Sequence, residues 1–477
     1  MIFINKKKIA ITVSVILGVL LAIAGITLLV FYMVAPWMLP WERARSYAAA
    51  KKGIDAYESA PPVREIAPDI SNTKLHILCD RDAEVLLGVY STDSNELSRR
   101  AKNRNDHFEM ELETKLFITS VDDVYATARE DILSGEYKYN MYVAYASDTL
   151  SPLLRDDMLY DFSSSVYITD GTEGFDKETS DALSVYKKSY ILSSAISDVK
   201  HGASVLVYDS DSEDLLTVNG KTLTELAISG EFTTENFFTA LKTNNITLPD
   251  DTSSASYEVT FGEEFAPLAY TEEDIYPIYF ALGGSFVDNS NDTLTISPIS
   301  TVRNGLALAT DFVSNDAVAE KTTATESVFS ISTVAKASEM RASGKNVSIL
   351  PMPKATADGE YRSYVDLGST LLCAMPSGIT APEKRDYLAY RYMALSESYT
   401  KPYVTEALSE GNENNKEILS IVLNCVGWDF AEFFGYGEIS SLIGELVNDD
   451  ERFNLEYYNR KELLEKAFGI IEKRITK

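Results

Sequence analysis

Between residues 74 and 146 the chain repeats one pattern, and that pattern narrows the fold more than anything else in the sequence. The short apolar runs "KLHILCD", "KLFIT" and "MYVAYA" read as strands, because apolar, β-branched and aromatic residues cluster in them and none is long enough for a helix. Between them lie two helix-length stretches. In "SNELSRRAKNRNDHFEMEL", Leu97, Ala101 and Phe108 fall on one face and Arg99, Arg100, Lys102 and Arg104 on the other; in "VDDVYATAREDIL", Val124, Ala128 and Ile132 recur at helical spacing, with Gly135 just past the end. Strands separated by helices of that length cannot pair as tight hairpins, so the segment predicts a parallel sheet with crossover helices.

Further along, "SVLVYD" reads as a strand and "LTELAISG" as a helix. A second helix, "EFTTENFFTALKTN", is capped by Thr233 and carries Glu235 in its first turn. "EDIYPIYFAL" and "VRNGLALATDFVS" read as helical, whereas the acid- and Thr-rich "LPDDTSSASYE" and "DNSNDTLTISP" read as surface loops. In the stretch 348–378, "SILPMPKATADGEYRSYVDLGSTLLCAMPSG", strand-like runs at 348–350 and 371–375 are joined by a loop containing Pro351 and Pro353 that is too long for a tight hairpin. Thr380 and Glu383 then form a capping box around Pro382, and the last 75 residues read as mostly helical. A chain of 477 residues is too long for one small core, so at least two lobes are expected.

Charge and motifs exclude several functions. With 43 Lys+Arg against 72 Asp+Glu, the net charge of −29 disfavours a nucleic-acid partner and adhesion to anionic lipid, both of which need a basic surface. Cys79, Cys373 and Cys425 lie far apart, as do His76, His107 and His201, so no metal site or disulfide framework is implied. No HExxH, GxSxG, GxxxxGKS or GxGxxG pattern occurs, so no cofactor, no metal and no enzyme activity is expected. The 72 acids leave a carboxylate-pair glycosidase open as the one enzymatic reading, although nothing positions such a pair.

From Ile9 to Ala35 the chain carries no charge, and Lys6, Lys7 and Lys8 precede this run. A helix of that length spans a bilayer, and the run is too long and ends in residues too bulky for a cleaved signal peptide. It reads as a signal anchor, with the lysines holding residues 1–8 in the cytoplasm, Trp37 and Trp41 at the outer interface, and the bulk of the chain outside the cell. Residues 36–72, with three prolines in "APPVREIAPD", read as a stalk.

Several segments, in this order, resemble the extracellular solute-binding proteins of bacterial ABC importers, in particular a clostridial branch of the sugar-type family. These are "ELSRRAKNRNDHFEMEL", "EDILSGEYKYNMYVAYASDTLSPLLRDDMLYDFSS", "SVLVYDSDSEDLLTVNGKTLTELAISGEFTTENFFTALK", "SVFSISTVAKASEMRASGKNVSILPMPKATADGEYRSYV" and "YLAYRYMALSESYTKPYVTEAL". Two features depart from that branch: paired tryptophans are missing from "SSSVYITDGTEGFDK", and a membrane helix replaces the lipoprotein cysteine. The resemblance implies a two-lobed periplasmic-binding-protein-like α/β fold (type II) with a hinge, preceded by the transmembrane helix. Lobe 1 would comprise 73–162 and 348–400, and lobe 2 163–347 and 401–477. It further implies a small solute, such as an oligosaccharide, held between the lobes and delivered to ABC permease subunits. A cell-surface accessory protein that keeps the fold without transport is the alternative.

Clefts in open α/β sheets form beyond the carboxyl ends of strands, which nominates Tyr145 and Asp148; Asp148 has an equally simple role as a helix N-cap. Tyr279 and Phe286 flank Gly283 and Gly284, where either a ligand or a core aromatic approaches the backbone closely. Tyr361 and Tyr364 lie in the loop of 348–378, beside the expected hinge. Trp428 completes the set, as a stacking platform or as a core anchor.

Overall fold

The computed structural model describes residues 68–89, 95–165, 167, 175–243, 265–289, 293–320, 326–378, 382–435, 438–448 and 451–476. The expected cytoplasmic tail, membrane helix and most of the stalk lie outside them. Among the described residues no helix is long and apolar enough to cross a membrane.

In chain order the elements are β1 (Lys74–Asp80), α1 (Glu96–Glu111), β2 (Lys115–Val121), α2 (Val124–Ser134), β3 (Met141–Tyr145), β4 (Ser204–Asp209), α3 (Leu223–Ile228), α4 (Thr234–Thr243), β5 (Phe265–Tyr270), α5 (Ile275–Ala281), α6 (Ile299–Val313), β6 (Val318–Glu320), β7 (Glu326–Thr333), α7 (Val334–Ala342), β8 (Val347–Pro351), β9 (Ser363–Tyr364), β10 (Leu371–Ala374), α8 (Pro382–Tyr399), α9 (Lys401–Ser409), α10 (Glu413–Asn424), β11 (Val426–Gly427), α11 (Phe430–Phe434), α12 (Ile439–Asn448) and α13 (Phe453–Ile475). They build two main sheets, with β9 and β11 pairing separately, and the chain crosses between the main sheets repeatedly.

The first sheet has the order β10-β3-β1-β2, with β1, β2 and β3 parallel and β10 antiparallel to β3. The strand period of two sorts its residues. Leu75, Ile77, Cys79, Met141 and Val143 pack with Phe108 of α1 and with α8, while Leu78, Tyr142 and Ala144 face the core that continues into the second lobe. Asn95 caps α1 by accepting from Ser98 N at 3.0 Å, and Gly135 closes α2 in the left-handed conformation.

The second sheet has the order β6-β5-β7-β4-β8. β5, β6 and β7 are parallel, and β4 runs antiparallel to both β7 and β8. α3 starts with a full capping box, Thr222 with Glu225, and α4 is capped by Thr233 as its sequence predicts.

Three expectations are corrected here. Arg104 does not lie on a solvated face: it is fully buried, donating to Tyr392 Oη at 2.6 Å and Ser396 Oγ at 3.1 Å while lying 4.4 Å from the Tyr392 ring centroid. The hydroxyl partners come from α8, far away in sequence, so helical periodicity could not show them. The strand beginning near Ser348 is not in lobe 1. It is β8, the edge of the second sheet, with Ile349 opposite Val207, so the passage to the first sheet comes later, between Val365 and Thr370. And "DNSNDTLTISP" includes half of a short hairpin, in which Val287–Asp288 pairs with Thr295–Ile296.

Candidate functional site

Because β1, β2 and β3 are parallel, Asp80, Val121 and Tyr145 end on one edge of the first sheet. Asp80, Arg81, Asp82, Asp122 and Asp148 therefore gather at that edge. Arg81 Nη2 donates to Asp122 Oδ2 at 3.0 Å, and the Tyr145 hydroxyl donates to Asp82 Oδ2 at 2.6 Å. Burial, and then the Asp82 carboxylate, push the Tyr145 hydroxyl well above its ordinary pKa, so it stays a donor. Beyond Tyr145 the chain makes a π-helical turn, Ala146–Leu150. Asp148 sits in it, exposed, accepting from Ser147 Oγ at 3.1 Å. It does not cap the following helix, whose preceding residue is Leu150.

The second sheet offers the matching edge, formed by the ends of β5, β7 and β8 and the start of β4. A cavity of about 630 Å³ lies there, lined by Ser204, Thr271, Glu273, Thr333 and Lys336 together with Asp366 and Ser369 of the crossing loop. That loop ties the two edges together, since Ser147 donates to the Gly368 carbonyl through both its amide (3.3 Å) and its hydroxyl (3.0 Å). The crossing loop thus joins the carboxyl edge of the first sheet to a cavity at the carboxyl ends of β5 and β7, the kind of place where open α/β sheets bind ligands. Its walls are mainly hydroxyl and carboxylate groups, with Lys336 as an exposed cation that forms no ion pair among the described residues.

A buried carboxyl cluster backs the cleft. Asp429, wholly buried, accepts from Tyr276 Oη (2.8 Å), Val287 N (3.0 Å), Ala431 N (2.9 Å) and Phe286 N, with Ser285 Oγ at 3.3 Å. Glu432 accepts from Ser440 N at 2.9 Å; burial first, and then the charges of Asp366 and Asp429, push its carboxyl up to about 8. Asp366 belongs to the crossing loop, so this protonated carboxyl sits against the segment that joins the lobes.

Of the seven residues nominated from sequence, Tyr145 and Asp148 lie at the carboxyl edge of the first sheet, outside the lining of the cavity. Three are core residues. Tyr279 is fully buried beneath Gly284 and Gly305, where an added Cβ would come within 2.3 and 2.8 Å of its ring, so the glycines serve packing and not a ligand. Phe286 is buried against Tyr457, with centroids 5.7 Å apart. Tyr364, 4% exposed, packs at a tilt against Tyr276 (5.1 Å) and Phe280 (5.2 Å). Tyr361 and Trp428 go elsewhere: both are half-buried and line a separate cavity of about 1060 Å³ in the second lobe.

Arg81, Asp82, Thr271, Glu273, Lys336, Asp366 and Ser369 were not nominated. Thr271, Glu273 and Lys336 follow β5 and β7, two strands the sequence reading does not identify. β5 contains Pro267, which argues against a strand, but "ESVFSIST" is rich enough in β-branched and aromatic residues to have been read as one.

No family model matches the sequence, and neither does any curated protein. Solved structures do match in fold. The GacH receptor of Streptomyces glaucescens GLA.O, solved unliganded and in complex with acarbose and an acarbose homolog, superposes with a TM-score of 0.51 at 11% identity, covering 83% of this chain and 99% of that one. UgpB from Mycobacterium tuberculosis, solved with glycerophosphocholine, gives a TM-score of 0.52 at 10% identity, covering 85% and 100%. At these identities the likeness shows a shared fold, two lobes of mixed α/β structure, and it shows the fold alone.

Proposed function

We propose that this chain is the extracytoplasmic solute-binding protein of an ABC importer, held at the membrane by its N-terminal helix and delivering a small solute to permease subunits. The observation that carries the reading is that the carboxyl edge of the first sheet and a cavity at the carboxyl ends of β5 and β7 meet at the crossing loop 365–370, which lines the cavity through Asp366 and Ser369 and is held to the first sheet's edge by Ser147. A solute touching Asp148 on one lobe and Thr271 or Glu273 on the other stabilises the closed arrangement, because only there are both sets of contacts made. The hydroxyl and carboxylate walls suit a solute rich in hydroxyl groups, and acarbose in the GacH receptor is a ligand of that kind on the same fold. The chemistry needed is binding, with hydrogen bonds from carboxylates and Ser/Thr hydroxyls as the source of specificity.

Calorimetry and thermal-shift measurements on the full chain in detergent, against oligosaccharides including acarbose and against glycerophosphocholine, test this reading. Saturable binding that raises the melting temperature and lowers the radius of gyration is expected for at least one solute. Binding that leaves the radius of gyration unchanged, or that persists in the double variant Asp148→Asn/Glu273→Gln, counts against the cleft.

A further inference from the structure

The larger cavity lies away from the strand ends. Its walls come from α5, the loop 354–362, the C-terminal end of α10 and β11. The side chain that sets its chemistry is Arg362. The guanidinium lies 4.0 Å from the Phe280 ring centroid, forms no ion pair among the described residues, and has one hydrogen bond there, from Nη1 to the Gly284 carbonyl at a marginal 3.5 Å. The position is half-buried, and burial lowers the pKa of the group. Asp429, whose buried carboxyl acts electrostatically on Arg362 and opposes that lowering, is already met by its own ring of backbone and hydroxyl donors.

Lys354 lines the same cavity. It is 6% exposed and donates to the Ala357 carbonyl at 2.9 Å, with its ammonium 5.2 Å from the Tyr361 ring centroid; it too forms no ion pair among the described residues. The cavity therefore holds two partly desolvated cations, each on an aromatic face, with the Trp428 ring as a further half-buried apolar surface. The Tyr361 hydroxyl faces away from this chemistry: it donates to the Ala227 carbonyl at 3.0 Å and accepts from Phe232 N at 3.3 Å, which holds the ring rigid. At the rim stand Asp181, Asp288 and Glu360, all exposed.

We propose that this cavity is a second binding site, distinct from the inter-lobe cleft, for a small aromatic monocarboxylate. The planar fork of Arg362 matches a carboxylate in two parallel hydrogen bonds, and a desolvated cation lacking a counterion gains most from such a partner. Tyr361 and Trp428 take the flat apolar body. The rim acids discriminate by charge: one carboxylate reaches the two cations, whereas a ligand with a second negative group at its outer end meets Asp288 and Glu360.

Titration of the full chain with indole-3-carboxylate and benzoate, followed by calorimetry, tests the site. Both bind in the wild type, and the uncharged indole-3-carboxamide and the dianion terephthalate bind at least about tenfold more weakly. Arg362→Lys keeps the charge but loses the fork, and weakens indole-3-carboxylate by about tenfold or more. The proposal is overturned if neither carboxylate binds at millimolar concentration, if the carboxamide binds as tightly as the carboxylate, or if Arg362→Lys has no effect. Since the carboxylate–carboxamide comparison uses wild-type protein, a variant that fails to fold does not shelter the idea. Failure of solute binding in the cleft leaves this outcome untouched, and the reverse also holds.

Discussion

The two cavities share their walls yet differ in almost every property. Tyr276 of α5 and Tyr364 of β9 edge the inter-lobe cleft, while Phe280, one turn further along α5, and Arg362, two residues before Tyr364, line the second-lobe cavity. Between them stand the tilted, packed rings of Tyr276, Tyr364 and Phe280. The cleft is the smaller, at about 630 Å³, and is lined mainly by hydroxyls and carboxylates of the second lobe and of the loop that crosses to the first; the other, at about 1060 Å³, is aromatic and cationic and takes no residue from that loop. Size does not identify a solute site that works by closure. Only a cavity whose walls move relative to one another can couple binding to lobe movement.

Substitutions in the shared wall and then in each cavity test this distinction. The largest effect is expected from Asp429→Ala, which strips the acceptor from buried donors on both sides of the wall. A loss of about 3 kcal/mol or more in unfolding free energy is expected, read by denaturant titration, with both cavities compromised together. If only one cavity loses function, the wall is not shared as described.

Next comes the pH dependence of stability. The Glu432 carboxyl titrates near 8 in the fold against 4.5 ordinarily, so between those values the folded chain holds a proton that the unfolded chain has released. Stability therefore falls as pH rises through that window and is level, as far as this group is concerned, below it. Glu432→Gln removes that fall in a series of melting curves; an unchanged slope would assign it to other groups, among them Asp386 in lobe 1, whose carboxyl is pushed up to about 6 by burial.

Asp148→Asn and Glu273→Gln are each expected to weaken the cleft solute by roughly 1.5–3 kcal/mol, the range for hydrogen bonds to charged groups, while leaving carboxylate binding at Arg362 intact. The smallest change is predicted for Tyr145→Phe. Its bond to Asp82 is solvent-exposed, so stability moves by less than about 0.5 kcal/mol, and any effect appears in solute affinity as measured by calorimetry.

The parallel organisation of the first sheet was legible because local signals agree along it: strand-length apolar runs, amphipathic helices, the Gly135 stop. The second sheet was half legible. β4 and β8 stand out as apolar runs, but β5 carries a proline and β7 alternates with serines, and what makes them strands is pairing across long sequence separations, Ser327 with Ala266 and Phe329 with Tyr208. Since three cleft residues follow those two strands, missing the strands meant missing the residues.

Aromatic residues misled for a related reason. Tyr279, Phe286 and Tyr364 have the composition of a binding surface, but whether a ring faces a cavity or a neighbouring ring depends on packing partners that the local sequence does not name. Tyr145 and Asp148 were placed at the sheet edge from sequence because strand direction alone puts them there: the end of a parallel strand is an edge whatever packs around it.

By itself the sequence determined the α/β class, the division into more than one lobe, the lack of recognisable catalytic and nucleotide-binding motifs, and the acidic charge that disfavours nucleic acid, since all of these depend on local periodicity, spacing and composition. Tertiary structure alone decided that β8 belongs to the second sheet, that Arg104 is buried, that the passage between sheets runs through 365–370, and that Arg362 and Trp428 share a cavity apart from the cleft. Each of those rests on contacts between residues tens to hundreds of positions apart, where packing and hydrogen-bond satisfaction override the local pattern.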